Sequence, residues 1–81
     1  MDKVFTIEES SIRSGNGRLY RGTLKWLKSQ LGLNESKEIP YKWNYIYIQE
    51  PTTVKELVRS LNKLAKYDSQ HEGLQYKLIS K

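Results

Sequence analysis

The chain has 81 residues, with 14 Lys and Arg against 9 Asp and Glu and a formal net charge of +5. That length makes residues 1–81 a single domain near the size at which one core only just suffices, and the lack of cysteine excludes disulfides and thiolate metal sites. No stretch approaches the roughly 20 apolar residues of a membrane span, and the N-terminus has no signal-like apolar run, so a soluble cytoplasmic protein is expected.

The charge is unevenly placed. Between Ser10 and Asn34 lie five basic residues (Arg13, Arg18, Arg21, Lys25, Lys28) and no acid, while the other nine basic and nine acidic residues cancel. A local excess of one sign attracts an oppositely charged surface, of which a phosphate backbone is the commonest. An acidic protein would be drawn by the same field.

In chain order, Val4–Ile7 reads as a first strand with Phe5 and Ile7 on one face. Ser14-Gly15-Asn16-Gly17 is a loop signal with two readings. It is either a hairpin turn that pairs the first strand with Arg18–Lys25, or a helix start with Asn16 as N-cap. Tyr20, Leu24, Leu27 and Leu31 recur at helical spacing and favour a helix from about Gly17 to Leu31. Gly22 weakens such a helix by about 1 kcal/mol, which makes a later start with Thr23 as cap the variant reading. Gly32 stands where a left-handed residue ends a helix, with Leu33 folding back on Leu27. In the longer helix Arg18, Arg21, Lys25 and Lys28 line up as one basic stripe, with Trp26 beside it.

Ile39–Gln49 is the densest apolar and aromatic run and reads as a single central strand that begins at Pro40. Alternation puts Tyr41, Trp43, Tyr45 and Tyr47 on one face and Lys42, Asn44, Ile46 and Ile48 on the other. The second half is apolar on both faces, which places Tyr45–Ile48 in the middle of a sheet. Two roles compete for the rings. A core role is favoured for Trp43 and Tyr45, because aromatics dominate cores; the other role is a platform on which bases stack. A helix-turn-helix reading of Leu31–Ser36 is the lesser alternative, because Pro40 cuts its second helix after one turn.

Thr53 and Glu56 have the spacing of a capping box and open a second helix. Val54, Leu57, Val58, Leu61, Leu64 and Ala65 form its apolar face, and Lys55, Arg59, Lys63 and Lys66 form a second basic stripe. Residues 68–73 read as a loop and Leu74–Ile79 as a last strand with Leu74, Tyr76 and Leu78 on one face. The expected fold is α+β, a small two-layer β-α-β-α-β domain whose three-stranded sheet carries both helices on one face. The central and last strands would be parallel through a right-handed crossover. The uncovered face would favour a partner, including a homodimer.

Chemistry-bearing residues are few. His71, in a polar loop beside Glu72, reads as an exposed histidine without a base or ligand role. Ser60 and Lys63 match a short Ser-x-x-Lys pattern on a polar helix face, where the spacing is common by chance. Glu8 and Glu9 point to opposite faces of a strand and cannot flank one substrate atom. The Ser14–Gly17 loop with Arg13 and Arg18 resembles an anion nest but lacks the spacing of a nucleotide-binding glycine loop. No catalytic residue, metal or cofactor is expected. The function expected is non-enzymatic nucleic-acid binding with weak sequence preference, DNA or RNA being gripped through Arg13, Arg18, Arg21, Lys25, Trp26 and Lys28. The alternative is a small regulator or inhibitor that binds another protein through the basic patch or the open sheet face.

Overall fold

The computed structural model describes residues 3–68 and 71–80, so Ser69 and Gln70 of the expected 68–73 loop lie outside the described residues. Its elements run β1 (Phe5–Ser11), β2 (Gly17–Gly22), α1 (Leu24–Gln30), β3 (Lys37–Tyr41), β4 (Asn44–Ile48), α2 (Val54–Tyr67) and β5 (Leu74–Ser80). The class is α+β, with a three-stranded sheet in the order β2-β1-β5 and a separate two-stranded sheet β3-β4. Every strand pair is antiparallel. The expected parallel crossover is therefore absent, because β4 and β5 belong to different sheets.

The first hairpin replaces the upper half of the expected helix. Ser10 faces Gly17, Ile7 faces Tyr20 and Phe5 faces Gly22 across β1 and β2. The turn closes through Ser11 N–H to Asn16 O at 2.8 Å and Gly15 N–H to Ser11 O at 2.9 Å, with Gly15 at φ +72°. Tyr20 reaches the core by strand alternation, whereas Leu27 and Leu31 reach it from α1. A helical spacing thus arises across an element boundary. The boundary itself is steric: a Cβ on Gly22 would sit 2.5 Å from Cε3 of Trp26, so only glycine lets that ring lie against the end of β2.

The late helix start is the one observed. Thr23 Oγ accepts from Trp26 N–H at 3.2 Å, which satisfies one orphan donor of the first turn. At the other end Gly32 has φ +77° and Leu33 N–H donates to Lys28 O at 2.8 Å, a Schellman closure that brings Leu33 into the core.

The second departure splits the expected central strand into a hairpin. Ile39 faces Ile46, Pro40 faces Tyr45 and Tyr41 faces Asn44. Lys42 and Trp43 form the turn, and Lys42 has φ +56° at a position that glycine usually fills. Alternation survives within each strand, but the turn divides the expected ring row: Tyr41 shares the face of Ile39, Ile46 and Ile48 and meets the Tyr67 ring edge-on at 4.9 Å, while Tyr45 and Tyr47 take the other face. Ile39 and Ile48 are buried, while Trp43, Tyr45 and Tyr47 are 101%, 66% and 56% exposed, which overturns the core role for Trp43 and Tyr45. An antiparallel pair needs only one buried face, and here the isoleucines supply it.

The α2 helix behaves as its pattern requires. Leu57, Leu61 and Leu64 are buried with Ile7, Leu27, Leu33, Ile48 and Tyr76 in one cluster. Thr53 Oγ accepts from Glu56 N–H at 3.1 Å. The returning half of the capping box differs, since the Glu56 carboxylate accepts from Thr52 N–H at 2.8 Å and Thr52 Oγ at 2.7 Å. Those bonds hold the carboxyl below its ordinary range, the Thr52 backbone N–H contributing most. The Asn62 side chain donates to Tyr76 O at 3.0 Å and accepts from Tyr76 N–H at 2.9 Å, so it satisfies both backbone groups of that residue in place of a further strand. His71 is half-buried rather than exposed, with Nδ1 3.0 Å from Asp68 Oδ2 at the end of α2.

One contact ties the end of the hairpin to α1, the pairing of Glu50 with Lys28, and another closes its base, where Glu50 N–H donates to Ser36 Oγ at 3.0 Å.

Candidate nucleic-acid interface

The basic residues between Ser10 and Asn34 divide among three elements. Arg13, in the β1–β2 turn, pairs with Glu72 at 3.1 Å. Arg18 and Arg21 are three apart on β2 and so project to opposite faces of the sheet. Arg18 donates to the Tyr20 hydroxyl at 3.4 Å, and Arg21 to Thr6 Oγ at 3.3 Å. Lys25 is exposed on α1, whereas Lys28 is only 14% exposed and engaged with Glu50. Trp26 packs on Gly22 and remains 43% exposed. The single helical stripe does not form, because a strand of two-residue period replaces a helix of 3.6.

The anion-nest reading of the Ser14–Gly17 loop is likewise changed by its geometry. The loop is a hairpin turn, and its two arginines point to different partners, Glu72 and Tyr20. A small hollow of about 150 Å³ beside Arg18 is walled partly by Glu9, whose carboxylate accepts from the Tyr76 hydroxyl at 2.7 Å. That acid makes the hollow a poor seat for a phosphate.

A different surface gathers exposed rings and cations. Tyr45 and Tyr47 share the outward face of β4 with Trp43 at the hairpin tip. The α2 helix reaches β4 through Lys63, whose Nζ donates to Tyr47 O at 3.2 Å. Lys55, Arg59, Lys63 and Lys66 are all exposed on α2, and among the described residues none of them forms an ion pair. Between the end of β4 and the first turns of α2 runs a groove of about 380 Å³, to which Tyr47, Arg59, Ser60 and Lys63 contribute. Of its two acids, Glu50 pairs with Lys28, whereas Glu56 keeps its charge under the Thr52 hydrogen bonds and lies within the field of Arg59. Glu38 stands opposite Tyr47 on the β3 side, so the favourable side of that ring for an anion is the α2 side.

The sequence carried both halves of this surface, the ring run and the second basic stripe. What it lacked was the turn at Lys42 and Trp43, the feature that sends the rings outward. The nearest signal was the Lys42–Asn44 interruption of an otherwise apolar run.

Among the described residues no group of three or more His, Asp and Glu is placed to hold a metal ion, and no helix is long and apolar enough to cross a membrane. No family model matches the chain, and neither the curated proteins nor the solved structures contain a match.

Proposed function

We propose that this is a non-enzymatic nucleic-acid-binding domain with weak sequence preference, whose seat is the aromatic face of β4 together with the basic face of α2. The observation that carries this reading is the exposure of Trp43, Tyr45 and Tyr47 on a hairpin whose Tyr47 lines one groove with Arg59 and Lys63, neither of which forms an ion pair among the described residues. Rings supply faces for bases and the cations supply phosphate contacts, so both components of backbone-plus-stacking recognition stand on one surface. In this reading both helices cover the face of the sheet that carries Ile7 and Tyr76. The Cα envelope of 44 × 29 × 16 Å supports that arrangement, its shortest dimension holding a sheet and one further layer. Arg18, Arg21 and Lys25 then add to the positive field that steers an anion towards the domain, without forming the seat.

The test is a binding titration against salt. If Lys55, Arg59, Lys63 and Lys66 all meet phosphates, log K falls by about 3 per unit of log salt on a single strand and by about 3.6 on duplex. An affinity indifferent to salt overturns the proposal.

A second reading, a small regulator that docks on another protein, is favoured by the sheet face opposite Ile7. Leu19 and Ile79 project there, 64% and 49% exposed. Retention of one stoichiometric partner from nuclease-treated lysate, with loss of all nucleic-acid binding, supports this reading against the first.

A further inference from the structure

The ring geometry points to an unpaired strand as the form of nucleic acid taken, an inference that rests on the function proposed above. Tyr45 and Tyr47 are two residues apart on β4 and stand on one face, so their Cα atoms are separated by about 6.8 Å along the strand. Bases stacked in a duplex rise by only about 3.4 Å per step. Rings at twice that spacing match bases drawn apart, each lying on its own phenol. A duplex also presents base edges in its grooves rather than base faces, and a ring standing on a sheet needs a face. Trp43 continues the same exposed row to the tip of the hairpin.

The α2 side of the row completes the site. A base lying on Tyr47 has the groove beside it, where Arg59 and Lys63 face a backbone phosphate and Ser60 offers a hydroxyl. Glu38 repels a phosphate from the β3 side, whereas the α2 side sets two cations, Arg59 and Lys63, against the one carboxylate of Glu56, which favours the backbone at the α2 edge. Lys63 is already held by the backbone carbonyl of Tyr47 at 3.2 Å, which fixes the ammonium at the edge of the strand that carries this ring. The ligand assigned is therefore a single strand of DNA or RNA, its bases on the hairpin and its phosphates along α2.

The experiment compares a fluorescein-labelled homopyrimidine 12-mer with its duplex by anisotropy at low salt, using the full chain and the Tyr45→Ala, Tyr47→Ala double variant. Both rings are more than half exposed, so the variant keeps the fold, which circular dichroism verifies. The expected result is tighter binding of the single strand, with a loss of roughly 5- to 150-fold for each ring removed. Duplex bound as tightly as the single strand, or a double variant within twofold of the parent, overturns the single-strand assignment while leaving a nucleic-acid-binding domain. Absence of binding to both forms overturns the assignment and the proposed function together.

Discussion

Two side chains carry pH-dependent stability of opposite sense. The Tyr76 ring is buried in the core cluster, and its hydroxyl donates to Glu9 at 2.7 Å. Burial, and then that hydrogen bond, raise its pKa well above the ordinary tyrosine range. The folded chain therefore keeps a proton that the unfolded chain releases above about pH 10, so this contribution is complete below pH 10 and declines as the pH rises. We expect Tyr76→Phe to cost about 1–2 kcal/mol at pH 7, and the gap from the parent in urea unfolding to narrow above pH 10. Glu56 works in the other direction. Its carboxyl is held low by the Thr52 bonds, so its contribution is present above the unfolded value of about 4.3 and lost as the pH falls through the lower folded value. Glu56→Gln should lower the melting temperature at pH 7, and the difference should vanish on acidification. A difference that persists at pH 3 would place the effect elsewhere than in the carboxylate.

At the level of elements, legibility followed the number of independent signals that agreed. The α2 helix had a cap, an apolar face and a polar face, all pointing to one winding, and it folds as read. Gly32 and Leu33 close α1 as their types suggest. The β2 strand was concealed because Tyr20, Leu24, Leu27 and Leu31 satisfy a helical period although Tyr20 enters the core from a strand. Gly22 was the contrary signal, read as a weak helix residue when its role is to admit the Trp26 ring. The β3–β4 turn was concealed for another reason, since neither Lys42 nor Trp43 is a usual turn residue. Gly22→Ala should therefore cost about 1–3 kcal/mol through displacement of Trp26, seen as a shift in Trp26 emission in a Trp43→Phe background. Emission and stability equal to the parent's would mean that the ring does not rest on this glycine. At the far edge of the sheet, Asn62→Ala removes both partners of the Tyr76 backbone groups. The expected loss is about 1–3 kcal/mol, together with faster aggregation through the uncovered β5 edge. A variant that keeps parental stability and solubility would show that water replaces the amide without cost.

For the molecule as a whole, the proposed binding could be seated in either of two basic regions, and the two can be separated by charge. The region from Ser10 to Asn34 holds the entire net excess, yet Arg13 and Lys28 are consumed by ion pairs and Arg18 and Arg21 project to opposite faces. The α2 face holds no more charge, but it stands beside the exposed rings of β4. Composition therefore measures the strength of the field, and topology decides where a ligand is held. Arg59→Gln with Lys63→Gln should reduce the salt slope on a single strand by about 1.4, since each phosphate contact on a single strand contributes about 0.7. Arg18→Gln with Lys25→Gln removes the same charge from the other region and should leave the slope near its parental value. Because both pairs lower the net charge equally, a field without a defined seat would make the two double variants indistinguishable. A larger effect from the Arg18 and Lys25 pair would return the seat to β2 and α1, and the exposed rings of β4 would then lose their proposed role in holding bases.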